Sequence, residues 1–358
     1  MLFSILKNVK FNGRLEITNH QGKVFSFGQG VEISKIQFKN KSIERKLFLN
    51  PSLYLGEGYM NKEIVIQQGN LDNFLKIITS AYYEFVSNNK IYGFYESISN
   101  LFKGFQQINK HIKSKKNVSH HYDLNESMYK LFLDKDMQYS CAYFHNQNLN
   151  LEQAQEDKKK HIINKLLIKE DMSVLDIGCG WGGMAIQIAK DTGAKVKGIT
   201  LSENQFSTAQ RRAQEEGLNE KVTFALQDYR NENNIYDRIV SVGMFEHVGV
   251  NYYPTFFSKT YDLLNESGIF LLHTIGQVSE PTATSPWIRK YIFPGGYIPS
   301  LSEIMKVTEK FNIQVTDIEI LRLHYAYTLD HWYRRTMLNK DKIIKMFDER
   351  FLRMWEFY

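Results

Sequence analysis

Hydrophobic and polar residues alternate in the manner of short strands from residue 12 to about residue 70. The stretches 15–18 and 24–27 each alternate apolar with polar side chains, and the polar turn "NHQG" separates them. The segment "LDNFLKIITSAYYEFV" at 71–86 instead places apolar side chains at helical spacing. The leading "MLFSILKNVKF" predicts a short amphipathic helix. Together these patterns predict a small α+β domain over residues 1–95.

From about residue 170 to about residue 320, apolar strands alternate with helices. "VLDI" at 174–177 and "KVKGIT" at 195–200 are short strands, with a helix predicted between them. Strands that alternate with helices pair in parallel, because each parallel connection needs a crossover. The sequence therefore predicts an α/β domain with a doubly wound, mostly parallel sheet over residues 119–358. A polar, lysine-bearing stretch predicts a linker at 96–118.

The charge distribution and the two cysteines limit which kinds of binding partner and which kinds of cysteine site the sequence predicts. The 358 residues carry a formal net charge of +6, with basic clusters at 113–116 ("KSKK") and 158–161 ("KKKH"). We interpret the clusters as modest attraction to an acidic phospholipid surface rather than to nucleic acid, although solvated faces explain each cluster equally well. The two cysteines, Cys141 and Cys179, lie in unlike contexts and predict neither a disulfide framework nor a zinc site.

The chain contains no apolar run of the ~18–20 residues that a membrane span needs. The N-terminal apolar residues are interrupted by lysines and lack a small-residue cleavage site, so they do not predict a signal peptide. We therefore predict a cytoplasmic protein that associates peripherally with the inner face of the membrane.

The segment "VLDIGCGWGG" at 174–183 gives the clearest chemical signal. A strand containing Asp176 leads into Gly178, Gly180 and Gly182, which allow a tight turn to approach a ligand without Cβ clashes. A carboxylate at that position disfavours a phosphate and favours an ammonium or a cationic sulfonium. The segment resembles the first motif of class I S-adenosylmethionine (SAM) methyltransferases. The resemblance implies a Rossmann-like methyltransferase fold with SAM as cofactor.

The second strand departs from the pattern of that class. Generic members carry an acidic residue there to hold the ribose hydroxyls, whereas this strand ends in "GITLSENQ". Glu203 lies close by, and the amide of Gln205 is our candidate for the role. "LQDYR" at 226–230 follows the third strand, where the class binds the adenine amino group. The residues predicted to contact SAM from these motifs are Asp176, Gly178, Gly180, Trp181, Thr200, Leu201, Gln205, Gln227 and Asp228.

The segment "HYDLNESMYKLFLDKDMQYSCAYF" at 121–144 is dense in Tyr, Phe and Met. Together with "VLDIGCGWGG", "SVGMFEHVG", "LLHTIG", "FPGGYIPS" and "HYAYTLDHW" it closely resembles the cyclopropane-fatty-acyl-phospholipid synthases and the related mycolic acid cyclopropane synthases. The resemblance runs in order from about His121 to Tyr358. "LEITNHQGKVFSFG" and "LGEGYM" resemble, more weakly, the leading domain of the bacterial phospholipid-acting members. The family resemblance implies that Tyr139 and Ser140 also contact SAM.

The family reaction transfers a methylene group from SAM to the cis double bond of an acyl chain in a phospholipid. An alkene is a poor nucleophile, so the enzyme must hold it against the SAM methyl group in a dry pocket. Aromatic faces stabilise the resulting carbocation without bonding to it, and Tyr139, Tyr143 and Phe144 supply such faces. A place in the hydrophobic core explains Phe132 and Phe144 equally well.

Ring closure requires a base that removes a proton from the new methyl group, and in this family the base is a bound bicarbonate. The resemblance implies a cage in which Glu246 accepts the bicarbonate hydroxyl while His273 and Tyr325 donate hydrogen bonds. We interpret His247 as structural, because on a regular backbone it points away from its neighbour. The implied catalytic residues are Cys141 through its amide, Glu246, His273, Ile275 through its backbone, and Tyr325.

Two other functions remain open from the sequence. One is a SAM-dependent methyltransferase that gives a methyl-branched acyl chain or methylates a small molecule, and the other is a non-catalytic lipid-binding protein that retained the fold. The leading domain is predicted to contact a lipid surface or to form a homodimer, and "FPGGYIPS" at 293–300 is a candidate gating loop. The family pattern continues through a further helix and strand, so we expect a C-terminus shorter than usual.

Overall fold

The computed structural model describes residues 1–101 and 126–358. Most of the predicted linker at 96–118 and the whole "KSKK" cluster therefore lie outside the described residues, as do the first five residues of the aromatic segment. Among the described residues, no helix combines the length and apolar character that crossing a membrane requires.

The described residues form two compact units, and each draws on more than one part of the chain. The first contains residues 1–101, Ala283–Phe293 and Asp341–Tyr358. The second contains residues 126–282 and 294–340. The predicted division assigned all of residues 119–358 to one domain, whereas the structure groups two of its segments with the N-terminal residues.

The first unit is built on a mixed four-stranded sheet in the order β2-β1-β3-β4. The predicted hairpin is confirmed, since β1 and β2 pair antiparallel and Thr18 lies opposite Val24 across the turn. The predicted helix at 71–86 is interrupted at Ala81, which separates two shorter helices. The elements are α1 Leu2–Leu6, β1 Asn12–Thr18, β2 Val24–Phe27, β3 Gln29–Phe38, α2 Lys41–Leu49, α3 Pro51–Met60, β4 Ile64–Gln68, α4 Leu71–Ser80, α5 Tyr82–Asn88 and α6 Lys90–Leu101.

The later segments join the first unit through apolar contacts on α3. Trp287, which is 2% exposed, lies directly against Gly56, where an added Cβ would come within 2.3 Å of the indole nitrogen. Its ring centroid is 4.8 Å from that of Phe357, and its indole N–H donates to Met60 Sδ at 3.3 Å. These contacts explain why segments distant in sequence belong to the N-terminal unit.

The second unit contains a five-stranded, fully parallel sheet in the order β7-β6-β5-β8-β9. The predicted doubly wound α/β architecture is confirmed. The elements from residue 126 onward are α7 Glu126–Phe132, α8 Leu151–Leu166, β5 Ser173–Ile177, α9 Gly183–Thr192, β6 Lys195–Thr200, α10 Glu203–Glu215, β7 Val222–Leu226, β8 Tyr236–Val242, α11 Tyr253–Leu263, β9 Leu264–His273, α12 Pro286–Tyr291, α13 Leu301–Thr308, α14 Leu323–Leu338, α15 Lys340–Met346 and α16 Glu349–Phe357. Of these, α12, α16 and all but the first residue of α15 belong to the first unit.

The central strand β5 is buried on both faces, as strands of parallel sheets usually are. Val174 packs into a core with α8 and α9, whereas Leu175 packs into a second core with Leu263 of α11. The chain leaves β5 toward β6 on one side and reaches β8 on the other. This reversal of strand order creates a crevice at the carboxyl ends of the strands, the usual ligand position in such folds.

Candidate functional site

The glycine turn after β5 lies at this crevice. Gly178, Gly180 and Gly182 have positive φ angles of 82°, 54° and 83°, a region that side chains other than glycine rarely adopt. An added Cβ at Gly180 would stand in open space, whereas one at Gly178 would come within 2.6 Å of Met244 Cβ. The turn is anchored because the Gly178 N–H donates to the Ile199 oxygen at 2.9 Å. The backbone at Gly180 is therefore open to close approach by a ligand.

A cavity opens at the carboxyl ends of β5, β6, β7 and β8, beside this turn. Every residue predicted to contact SAM lines it. Those residues are Tyr139, Ser140, Asp176, Gly178, Gly180, Trp181, Thr200, Leu201, Gln205, Gln227 and Asp228. Sequence motifs that are up to 89 residues apart, from position 139 to position 228, thus meet at one place.

Asp176 dominates the electrostatics of the cavity. It is 1% exposed, and its Oδ2 atom is buried without a hydrogen-bond partner. Burial raises the pKa of this carboxyl to about 7, and the nearby Lys158 acts in the opposite direction. A cationic group in the cavity would favour the ionised carboxylate. The site therefore has the charge preference that a sulfonium cofactor needs.

The residues after β6 and β7 are held by hydrogen bonds. Gln205 is buried, and its Oε1 accepts from Thr200 Oγ1 at 2.9 Å. The Gln227 amide donates to Glu232 at 3.0 Å. Asp228 is paired with Arg230 through two contacts of 2.8 and 2.6 Å. These bonds fix the side chains that we expect to meet the ribose and the adenine.

A group of aromatic rings extends from Tyr139, which lines the cavity. The Tyr139 ring lies 5.2 Å from that of Trp332 on α14, and the Trp332 ring lies 6.4 Å from that of Tyr325. Phe132, which is fully buried, lies 6.0 Å from Trp332. Tyr143 instead stacks on His161 with centroids 4.2 Å apart. The rings of Tyr139, Trp332 and Tyr325 thus form a continuous series from the cofactor cavity to α14.

The predicted cage residues Glu246 and Ile275 are in direct contact. The Ile275 N–H donates to Glu246 Oε1 at 2.7 Å, so this amide is used by the carboxylate, a partner that the family pattern did not indicate. Glu246 is 8% exposed, its Oε2 is buried without a hydrogen-bond partner, and burial raises its pKa. One carboxylate oxygen is therefore held, while the other is buried without a hydrogen-bond partner, and Glu246 is not among the residues that line the cofactor cavity.

His273 ends β9, beside the loop that carries Glu246. Its backbone oxygen accepts from Gly243 at 2.9 Å, and its Nδ1 is buried without a hydrogen-bond partner. Burial, with a smaller contribution from Lys158, lowers the pKa of the imidazole to about 4. The ring is therefore neutral near pH 7 and carries one donor and one acceptor nitrogen.

Cys141 follows Ser140 and is buried. Burial raises the pKa of its thiol to about 11, so the sulfur is protonated and is not a nucleophile. The next amide, that of Ala142, donates to Thr328 Oγ1 at 3.0 Å, which ties the segment to α14 one turn after Tyr325. The structure thus connects the segment that carries Cys141 to α14, the helix that carries Tyr325.

The interpretation of the cluster at 158–161 was wrong for Lys158 and Lys159, because they are 2% and 6% exposed and so form neither a lipid-attracting surface nor a solvated basic face. His247, interpreted as structural, lies in the 3-10 turn Phe245–His247 and lines the cavity, whereas the neighbouring Glu246 is not among the lining residues. The sequence reasoning also missed Gln138 and Met244, which line the cavity and lie within the family motifs but were assigned no role.

Comparison with known proteins gives consistent results. Residues 109–358 match the family described as mycolic acid cyclopropane synthetase, and residues 2–90 match a domain of unknown function. The chain is 40% identical over 327 residues to the cyclopropane-fatty-acyl-phospholipid synthase of Escherichia coli strain K12, covering 90% of this chain and 82% of that protein.

Two further relatives illustrate the range of the similarity. A probable fatty acid methyltransferase of Pseudomonas putida is 40% identical over 248 residues, covering 67% of this chain and 63% of that protein. The mycolic acid cyclopropane synthase CmaA1, solved with SAH and CTAB, superposes with a TM-score of 0.64 at 32% identity, covering 70% of this chain and 92% of that one.

Proposed function

The chain belongs to the mycolic acid cyclopropane synthetase family, and we propose that it transfers a methylene group from SAM to the cis double bond of an unsaturated phospholipid acyl chain. The product is a cyclopropane fatty acyl phospholipid. The observation that carries the proposal is the cavity lined by all the predicted cofactor residues, at the carboxyl ends of the strands. The chain's similarity to the E. coli synthase supports the same substrate class.

SAM supplies an electrophilic methyl group when bound. The residues of the chain would orient it and exclude water: the glycine turn would admit the cofactor, and Asp176 would favour its positive charge. The aromatic series of Tyr139, Trp332 and Tyr325 offers π-faces to the positive charge that develops on the acyl chain. Because the Cys141 thiol is protonated, it does not trap that charge.

Bicarbonate is our proposed base for ring closure. The buried Glu246 Oε2 and His273 Nδ1 atoms each lack a hydrogen-bond partner, which suits a small polar ligand that accepts and donates at once. The bicarbonate hydroxyl would donate to Glu246, and the neutral His273 would donate to a bicarbonate oxygen. Tyr325 approaches from α14 in the same role by family resemblance. When bound, the anion supplies the base that takes the proton from the new methyl group.

The proposal is tested with purified protein, SAM carrying a labelled methyl group, and vesicles of unsaturated phosphatidylethanolamine. We expect label in the lipid and an acyl chain heavier by one CH₂ that resists catalytic hydrogenation. Absence of label from the lipid, with SAM binding intact, would support a lipid-binding protein without catalysis. Omission of the acyl double bond is the control.

A methyl-branched product is the second candidate, because a probable fatty acid methyltransferase matches this chain at the same 40% identity as the synthase. The two functions share every step until a proton is removed, so the outcome depends on which proton leaves. Hydrogenation of the product separates them: the methyl-branched chain left by loss of a different proton still carries a double bond and takes up hydrogen, and a ring does not.

The protein's partner is proposed to be the bilayer surface, contacted peripherally at the inner face, with a homodimer as the proposed assembly. The net charge of +6 supports electrostatic attraction to anionic lipids. We expect vesicle binding to weaken with salt, because the screening length shrinks to ~3 Å at about 1 M. Cosedimentation with vesicles across a salt series measures this, and binding that is unaffected by salt would instead indicate apolar insertion.

A further inference from the structure

Lys158 on α8 contacts two residues that line the cofactor cavity. Its Nζ donates to Gln138 Oε1 at 2.8 Å and to Ser140 Oγ at 2.8 Å. The side chain is 2% exposed, and a charge buried to this degree is retained only where neighbouring groups compensate it. The proposed reaction, as derived from the motifs, assigns it no role.

Helix α8 holds the cavity segment 138–140 with two side chains one turn apart. The Gln155 amide donates to the backbone oxygens of Gln138 and Ser140 at 3.1 and 3.0 Å. Residues three positions apart lie on one face of a helix, so Gln155 and Lys158 can both donate hydrogen bonds to the segment 138–140. Gln155 fixes its main chain, and Lys158 fixes its side chains.

The Gln138 amide is held at both ends. Its Oε1 accepts from Lys158, and its Nε2 donates to Asp136 Oδ2 at 3.0 Å. Asp136 in turn pairs with Lys159 at 2.6 Å and with Arg212. Burial lowers the pKa of Lys158 to about 8, while the nearby Asp134 opposes that shift. These contacts hold the Lys158 ammonium in one position, next to the cavity-lining residues Gln138 and Ser140.

This arrangement sets the direction of the Ser140 hydroxyl. Because its oxygen accepts a hydrogen bond from an ammonium, the hydroxyl proton is available to donate toward the cavity. Ser140 Cβ lies 3.7 Å from the position a Cβ would take at Gly243, directly after β8. The residues assigned to the adenine and ribose follow β7 and β6, on the other side of β5. The group of SAM that would accept a hydrogen bond from the Ser140 hydroxyl is therefore at the amino-acid end of the cofactor.

We infer that Lys158 is a positioning residue for SAM, which holds the Ser140 hydroxyl so that it donates to the carboxylate of the cofactor. The inference rests on the proposed function only for the identity of the cofactor. Lys158 acts through Ser140 and adds a positive charge on the carboxylate side of the cavity, while Asp176 supplies the negative charge that faces the sulfonium.

The test compares SAM with methylthioadenosine, which keeps the adenosine and a methyl-bearing sulfur but lacks the amino-acid group and the positive charge of the sulfonium. Calorimetry gives both affinities for the wild type, Lys158→Gln, Ser140→Ala and the double variant. The control is Lys160→Gln, a lysine on the same helix that is 52% exposed in its side chain. Melting temperatures are measured alongside, to separate misfolding from weakened binding.

We expect each single variant to weaken SAM binding about tenfold, the typical effect of one charge-assisted hydrogen bond. The double variant should lose no more SAM affinity than the single variant with the larger loss. The affinity of each variant for methylthioadenosine should stay within about twofold of the wild-type value. Additive losses, equal losses for both ligands, or unchanged SAM affinity in Lys158→Gln would overturn the inference.

If Lys158→Gln does not fold, Ser140→Ala decides alone: a loss restricted to SAM supports the inference, and unchanged SAM affinity overturns it. Wild-type protein that binds SAM but forms no cyclopropane lipid would contradict the proposed function and leave this comparison valid.

Discussion

Burial raises the pKa of the Asp176 carboxyl to about 7, so near neutral pH its charge depends on the cations that lie close to it. The sequence predicted its role because the strand, the acid and the glycines are adjacent, so local chemistry defines them. Lys158 could not be predicted in the same way. Its partners lie 18 and 20 residues earlier, and the string "KKKH" looks like a solvated face until α8 is packed against the sheet.

The raised pKa of Asp176 predicts a pH dependence for SAM binding. In the protein without ligand, burial raises the pKa of the Asp176 carboxyl to about 7. Because a bound cation favours the ionised carboxylate, SAM binding below pH 7 must release a proton. SAM affinity should therefore fall as the pH drops below about 7, by at most about tenfold per pH unit.

Calorimetry on either side of pH 7, in buffers of different ionisation enthalpy, measures both the affinity and the proton release. Asp176→Asn removes the titrating group, so its affinity should be lower at high pH and should lack this pH dependence. An unchanged pH profile in the variant would assign the titration to another group.

Glu246→Gln separates cofactor binding from ring closure. The amide keeps the size of the side chain and an oxygen that can accept from the Ile275 N–H, but it loses the carboxylate that would accept the bicarbonate hydroxyl. We expect cyclopropane formation to drop by about 10²–10⁴, as for loss of an acid–base group, with SAM affinity nearly unchanged. Lipid mass spectrometry and calorimetry measure the two effects, and normal ring formation in the variant would contradict the proposed cage.

At the scale of elements, hydrophobic patterning predicted the β1–β2 hairpin and the β5–α9–β6 unit, because each depends on neighbours in sequence. It did not predict the break at Ala81, which apolar spacing alone does not reveal. Nor did it indicate that α8 and α14 build the site, since their contributions depend on tertiary packing. The hydrogen bond from Ala142 to Thr328 joins residues 186 positions apart.

The turn into α9 tolerates only glycine at Gly182. Its φ is +83°, and an added Cβ would come within 2.6 Å of the Phe224 ring and 2.9 Å of Ala209 Cβ. Gly182→Ala should cost about 2–4 kcal/mol, about 1–2 from the left-handed backbone and the rest from overpacking. Urea unfolding measures the loss.

Gly217→Ala is the matched control for this substitution. It has a φ of +67° in the same unit, with nothing within 4 Å of an added Cβ. It should cost only the backbone part, about 1–2 kcal/mol. Equal losses in the two variants would show that packing against Phe224 contributes nothing.

At the scale of the whole molecule, the predicted fold class is correct, and the described units differ from the predicted boundaries. Residues Ala283–Phe293 and Asp341–Tyr358 belong to the first unit, although more than 180 residues separate them from Leu101, where α6 ends. Sequence patterning assigns elements locally and carries no signal for such a return of the chain.

Trp287→Ala tests the discontinuous unit. Truncating this buried ring against Gly56 and Phe357 should lower the free energy of unfolding by about 3–5 kcal/mol. The cavity residues all belong to the second unit, so SAM affinity should be retained below the unfolding transition. Tyr83→Ala, at a residue 84% exposed in the first unit, is the control and should be nearly neutral. Denaturation curves and calorimetry decide the outcome.

The discontinuous first unit has a consequence for biosynthesis. A ribosome releases the N-terminal strands early, but the partners of α3 emerge only when residues 283–293 and then 341–358 have been translated. The apolar surface of α3 at Gly56 therefore stays partly exposed to solvent while the parallel sheet is translated. Nascent chains halted before residue 341 should accordingly engage chaperones through this surface, and release them once the final helix arrives.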